Sequence, residues 1–259
     1  MIKRELYMNR IRPFIGGELI KVMTGIRRSG KSVMLELIKE ELAEAGVAPS
    51  QMISINFEDM RYSHLQTATA LHDEIIKRAE GIEGKAYLFF DEIQEVEGWE
   101  KCVNSLRVAL DCDIYITGSN AKLLSGELAT YIGGRYVEFV IYPFSFAEFL
   151  ELYHTIAPSD SIQQCFQKYL LAGGMPYLAN LRYEEEPSRQ YLTDLFNSVQ
   201  LKDIVKRNKI RDIDLLERII AYMTANVGTV FSASSLAKFF KNEQRTVAAE
   251  TILNYVRYC

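Results

Sequence analysis

The sequence has few cysteines. There are four in 259 residues (Cys102, Cys112, Cys165 and Cys259), scattered and without a Cys-x-x-Cys pair. That scatter excludes a zinc ribbon or a disulfide framework and is expected of free thiols in a reducing cytoplasm. Long hydrophobic runs are also missing: no apolar stretch approaches the roughly 20 residues of a membrane span, so no membrane partner is expected. The opening residues, Met1-Ile2-Lys3-Arg4-Glu5, lead into mixed polar sequence and lack the apolar core of a signal peptide. Nor is there a basic excess. The net charge is −4 at pH 7, so overall charge does not mark a nucleic-acid binder. The charge is uneven, however: residues 201–259 hold ten Lys/Arg against six Asp/Glu, a local +4, while residues 1–200 carry −8. Such asymmetry points to a separate partner for the C-terminal part, although a solvated surface has the same signature.

What is present begins with Leu19-Ile20-Lys21-Val22-Met23-Thr24, an apolar run that reads as a strand. Gly25-Ile26-Arg27-Arg28-Ser29-Gly30-Lys31-Ser32 follows, and then a helical pattern at Val33, Leu35, Leu37, Ile38 and Leu42. This is G-x-x-x-x-G-K-[ST] between a strand and a helix, the context a phosphate-binding loop requires. Gly25 and Gly30 lack Cβ, so the loop can bring backbone N–H groups close to an anion, and the helix N-terminus adds its dipole. Lys31 is expected to reach β/γ-phosphates and the Ser32 hydroxyl to bind Mg²⁺. The expected nucleotide-binding set is Gly25, Arg28, Ser29, Gly30, Lys31, Ser32 and Val33, with the side chains of Arg27 and Arg28 facing solvent.

A second strand reads from Met52 to Phe57 and a third from Ala86 to Asp91. The third, Ala86-Tyr87-Leu88-Phe89-Phe90, is nearly continuous in apolar residues, as a strand buried on both faces must be. It ends in Asp91-Glu92 at the edge where open α/β sheets bind ligands. Asp91 is expected in the Mg²⁺ shell and Glu92 beside the attacking water. A fourth strand, Asp113 to Thr117, runs into Gly118-Ser119-Asn120; Thr117, Ser119 or Asn120 there can sense a γ-phosphate and position water. Leu123, Leu124, Leu128 and Ile132 have helical spacing, ending at Gly133-Gly134. Arg135, between that helix and a fifth strand (Tyr136 to Tyr142), is a candidate arginine finger, in cis or toward a neighbouring subunit of a homo-oligomer. The fold class is α/β: a P-loop NTPase with a five-stranded, mainly parallel sheet. ATP is the expected nucleotide; GTP stays open as an alternative, although no N-K-x-D-type guanine motif follows the fourth strand.

Pro143-Phe144-Ser145-Phe146 ends the core. The expected division is a P-loop core over 1–145, a helical lid over 146–209 and a winged-helix-like all-α end over 210–259. The lid pattern runs through Ala147–His154, Ile162–Ala172 and Tyr191–Val205, with Asp203 of open role. In the last segment, helices at Leu215–Met223, Leu236–Phe240 and Thr246–Tyr258 resemble a helix-turn-helix presenting Arg245, Thr246 and Arg257 to DNA; a helical protein-interaction module fits equally. The β-hairpin wing is missing, so the chain is expected to be a piece of a longer protein.

Taken together, the P-loop, Phe89-Phe90-Asp91-Glu92, Thr117-Gly118-Ser119-Asn120, Gly133-Gly134-Arg135 and Tyr142-Pro143-Phe144-Ser145-Phe146 resemble a widespread prokaryotic family of AAA+-like ATPases related to archaeal P-loop ATPases. The resemblance runs on through Gly173-Gly174-Met175-Pro176 and Asp203-Ile204-Val205 to the helical end. It implies ATP binding and hydrolysis with Mg²⁺ by Lys31, Ser32, Asp91 and Glu92, and a finger or sensor role for Arg135. Asn120 completes the candidate catalytic set. The resemblance also implies a further C-terminal domain like restriction-endonuclease folds, absent here. A slowly hydrolysing nucleotide-gated switch and an ATP-regulated DNA-binding module are the rival readings.

Overall fold

The computed structural model describes residues 2–118, 132–199, 204–205, 208–242 and 245–258. They form two compact units, residues 1–188 and 189–259. The division falls within the segment that the sequence assigns to the lid.

In the first unit the strands are β1 (Ile20–Thr24), β2 (Met52–Asn56), β3 (Ala86–Asp91), β4 (Cys112–Thr117) and β5 (Tyr136–Val140). They make one sheet in the order β2-β3-β4-β1-β5, and every pairing is parallel. Parallel strands need crossovers, and α2 (Lys31–Glu44), α3 (Ala68–Ala79) and α4 (Trp99–Ala109) supply them; α1 (Glu5–Ile11) precedes the sheet. The near-continuous apolar strands divide alternately between two faces. Ile20, Val22, Leu88, Phe90, Ile114 and Ile116 pack with α3 and α4. Met23, Phe89, Tyr115 and Phe139 pack with α1 and α2. Trp99 lies in the first of these cores, 4% exposed.

Two charged residues interrupt the apolar runs and find each other. Lys21 in β1 and Asp113 in β4, both fully buried, form an ion pair. Asp113 also accepts from the Tyr115 hydroxyl at 2.7 Å and the Gly16 backbone N–H at 2.6 Å. Both carboxylate oxygens are thus engaged, as a buried charge requires.

After the sheet come α5 (Phe146–Tyr153), α6 (Ile162–Ala172) and α7 (Glu185–Val199). Each of the first two starts with a capping box, Ser145 with Glu148 and Ser161 with Gln164. The helix expected at Tyr191 begins instead at Glu185. Pro187 does not delay it, because proline is tolerated in a first turn whose N–H groups lack intrahelical partners anyway. The expected helix through Leu123, Leu124 and Leu128, and Asp203, lie outside the described residues.

The second unit contains α8 (Ile213–Ala225), α9 (Ala233–Asn242) and α10 (Ala249–Tyr258) around Leu215, Ile219, Leu236, Phe240 and Ile252. The last helix starts at Ala249, not at Thr246. Among the described residues no helix is long and apolar enough to cross a membrane.

Candidate phosphate-loop site

All strands run the same way, so the loop after β1, Asp91 at the end of β3 and Thr117 at the end of β4 share the carboxyl edge. The strand order inserts β4 between β1 and β3, and this makes Thr117 the bridge between the phosphate loop's strand and the acidic pair. Its buried hydroxyl donates to Asp91 Oδ1 and accepts from the Glu92 backbone N–H at 3.0 Å. The other Asp91 oxygen accepts from Asn56 Nδ2 at 3.1 Å. Asp91 is therefore held from both neighbouring strands, in one orientation.

The loop itself is tightly wound. Gly25 has φ +141°, and a Cβ there would lie 2.2 Å from the Ile141 carbonyl oxygen; Gly30 has φ +102° and caps α2. Only glycine fits a backbone approached this closely. Lys31 is buried, and its Nζ donates to the carbonyls of Gly25 and Ile26, each at 3.1 Å. The same Nζ lies 3.9 Å from Glu92 Oε1. The buried Ser29 hydroxyl has no hydrogen-bond partner among the described residues. An orphaned hydroxyl in a glycine-turned loop is what remains when a cradle is shaped for an external acceptor. Ser32 and Val33 are exposed on the first turn of α2. Arg28 is exposed with φ +62°, whereas Arg27, expected to face solvent, is half-buried.

Glu92 has left-handed backbone, φ +56°, rare for a residue with a side chain. It turns the chain out of β3 and sets the carboxyl toward Lys31. Gln94 Nε2 donates to Glu92 Oε2, while Gln94 Oε1 is buried without a partner among the described residues. Burial pushes the Glu92 carboxyl up; the Gln94 hydrogen bond and the Lys31 charge work against that shift without cancelling it.

The residues expected at the site do not all gather there. Asn120, with Ser119, lies outside the described residues. Arg135 immediately precedes β5 and is paired beside β1's first residues, its carbonyl accepting from Ile20 N–H at 2.9 Å. That is the amino edge of the sheet, a strand's length, about 16 Å at 3.3 Å per residue, from the phosphate loop. Its guanidinium donates to Asn104 Oδ1 of α4 at 2.7 Å. A finger acting in cis is thereby corrected: the intervening strand keeps Arg135 away from its own loop. Arg245, expected to face DNA, has its side chain paired with Asp212 and Asp214 at the start of α8.

Sequence reasoning missed Arg4, Gln94 and Glu148. Arg4 belongs to no motif, yet its guanidinium reaches the phosphate loop. Among the described residues no three His, Cys, Asp or Glu side chains cluster as a metal cage. A cation here would therefore draw most of its oxygens from phosphate and water, the usual habit of Mg²⁺.

A family described as an AAA domain matches residues 18–150, and a domain of unknown function matches residues 163–258. An uncharacterized protein of Haemophilus influenzae is 38% identical over 257 residues, covering 99% of this chain and 64% of its own length. An uncharacterized protein of Methanocaldococcus jannaschii is 32% identical over 251 residues, covering 92% and 54%. The chain thus spans less than two thirds of either relative. Among solved structures, Thermotoga maritima RuvB aligns over 96% of this chain and 82% of its own, at 14% identity and a TM-score of 0.47. AMPPCP-bound DnaA from Aquifex aeolicus aligns over 98% and 87%, at 14% identity and a TM-score of 0.42. Since the AAA model matches more than half of its residues, over the segment that carries the phosphate loop and the acidic strand end, the chain belongs to the AAA domain family.

Proposed function

We propose that this chain is an Mg²⁺-dependent ATPase whose reaction centre is the phosphate loop and the end of β3. The observation that carries the reading is Lys31 Nζ standing 3.9 Å from Glu92 Oε1 above a loop turned by Gly25 and Gly30. A cation and a general base meet at the mouth of an anion cradle.

The roles follow from the chemistry of each group. Backbone N–H groups of Arg28 to Val33 and the Ser29 hydroxyl bind phosphate oxygens. Lys31 exchanges its loop carbonyls for the β- and γ-phosphates, and in leaving it lowers the positive field on Glu92. Glu92, with its carboxyl raised by burial, then holds and deprotonates water as general base. Ser32 and Asp91 would hold an Mg²⁺ ion, which would supply charge neutralisation at the transferring group. Thr117 and Asn56 hold Asp91 in one orientation, in which it would take that ion. Asn120 is the residue we assign to orienting the water. Arg135, at the opposite edge of the sheet, serves a neighbouring subunit of a homo-oligomer.

Phosphate release by wild type, Lys31→Ala and Glu92→Gln tests this. Lys31→Ala is expected to lose binding. Glu92→Gln is expected to bind ATP normally and to fall by about 10²–10⁴ in turnover, the usual worth of a general base. A wild-type protein that binds no nucleotide ends the reading, and unchanged turnover in Glu92→Gln removes that residue from its role. In the same assay Arg135→Ala is expected to lower turnover where subunits associate, and full activity in an associated sample removes the finger.

A further inference from the structure

Arg4 stands at position four of the sequence, far from every motif, yet its side chain is among the most completely enclosed charges in the molecule, 1% exposed. Its guanidinium makes contacts in three directions. NH1 donates to the Ser29 carbonyl of the phosphate loop at 2.9 Å. NH2 donates to the Tyr142 carbonyl, just past β5, at 2.8 Å. Nε donates to Glu148 Oε1 of α5 at 2.8 Å. The plane also lies against the Tyr7 and Phe144 rings, 4.6 and 5.1 Å from their centroids. The Arg4 backbone is left-handed, φ +48°; such a conformation persists in a residue with a side chain only when its surroundings over-determine it.

We propose that Arg4 is a positioning residue for the phosphate loop, linking the aim of its amides to the first helix after the sheet. The proposal rests on the nucleotide-binding reading above. The physical step is in the peptide between Ser29 and Gly30. In a planar trans peptide the C=O and the following N–H point in opposite directions. Holding the Ser29 oxygen on Arg4 therefore aims the Gly30 N–H away from Arg4, toward the side a phosphate would take. The next carbonyl is fixed as well, since Gly30 O accepts from Met34 N–H at 3.1 Å. With both carbonyls tied, the left-handed Gly30 has one orientation left. A Cβ on Gly30 would come 3.3 Å from Arg4 NH1, so guanidinium and loop are in close contact at this point.

Glu148 makes this anchor part of α5. Besides Arg4 it accepts from the Ser145 backbone N–H at 2.8 Å and hydroxyl at 2.9 Å, closing that helix's capping box. One carboxylate thus fixes the start of α5 and the guanidinium that holds the loop. Burial alone would raise this carboxyl, but Arg4 and the Ser145 N–H more than offset that and leave it below the usual carboxylate range. A lysine at position 4 would keep the charge and the stem but not the planar fork that serves three acceptors in three directions.

The test compares wild type, Arg4→Lys and Glu148→Gln for binding of AMP-PNP, ADP and adenosine, with thermal midpoints measured without ligand. Arg4→Lys is expected to weaken AMP-PNP and ADP about tenfold and to leave adenosine unchanged. Glu148→Gln, which preserves shape and one acceptor, is expected to weaken the phosphorylated ligands about threefold. A merely structural role would lower the midpoint and leave the ratio of ADP to adenosine affinity untouched. That result in either folded variant overturns the proposal. If wild type itself binds none of the three ligands, the nucleotide reading is what fails, and the two failures are told apart by the wild-type arm alone.

Discussion

At the scale of single residues, the acidic pair behaves as two different groups. Asp91 is locked by Thr117 and Asn56, whereas Glu92 is held by Gln94 and faces Lys31. A base must be ionised to act, so activity falls as pH drops through the carboxyl's folded value. Burial has raised that value, and the acid limb of turnover is therefore expected above the ordinary carboxylate range near about 4.3. The Gln94 amide stabilises the ionised form, and its removal raises the carboxyl further. Gln94→Ala should move the acid limb to still higher pH and keep the plateau rate within about threefold, which a pH series of phosphate release would record. An unmoved limb would show that Gln94 does not restrain the base. The Asp91-Glu92 pair was readable from sequence because it follows an apolar run at fixed spacing from the phosphate loop. Gln94 was not, since a glutamine two residues further on belongs to no pattern until the chain turns at Glu92. Arg4 and Glu148 are 144 positions apart, and no local signal connects them. Lys21 and Asp113 did leave a trace: each is a lone charge of opposite sign in a buried strand, and two such interruptions in strands that pair are best explained by one another.

At the scale of elements, the five strands were legible because burial on both faces demands near-continuous apolar runs, which are rare elsewhere in a soluble chain. Their order was not. Nothing in the run Cys112 to Thr117 says that it lies between β1 and β3, and so Thr117 could be assigned to a phosphate when it in fact orients two carboxyl residues. Arg135 directly precedes a parallel strand and so sits at the amino edge of the sheet, which closes the cis alternative and leaves the one toward a neighbouring subunit. Past the sheet, Gly173-Gly174-Met175-Pro176 looked like a sharp turn, and the structure gives the reason for one of its glycines. A Cβ on Gly174 would lie 2.1 Å from the Phe144 carbonyl oxygen and 3.1 Å from its nitrogen. The two backbones are joined there by Phe144 N–H to Gly174 O at 2.7 Å, and the Tyr169 hydroxyl donates to Phe144 O at 2.9 Å. The turn is what docks α6 against the segment leaving the sheet. Gly174→Ala must push those backbones apart and is expected to cost about 2–3 kcal/mol, from overpacking and a lost hydrogen bond. Chemical denaturation of the two proteins measures it. A cost below about 0.5 kcal/mol would mean the turn relaxes freely and does not fix the junction.

At the scale of the whole molecule, the two units bury separate cores, a double-faced sheet in one and five apolar side chains between three helices in the other. Every residue assigned to the phosphate site belongs to the first. The second carries the basic excess, but Arg245, Asp212, Asp214 and Arg218 are already engaged with one another. Heating is therefore expected to give two transitions, since each unit has its own apolar interior to lose. A ligand stabilises only the unit that binds it. At a hundredfold excess over the dissociation constant the gain is about 2.7 kcal/mol, and for a unit of 188 residues that corresponds to a rise of roughly 5–10 °C. Scanning calorimetry with Mg²⁺ and AMP-PNP should move the sheet unit's transition by that amount and leave the helical unit's where it was. Equal movement of both would mean that nucleotide energy reaches the C-terminal helices, and the phosphate loop would then have to be regarded as the control of that unit and not only as a site of hydrolysis.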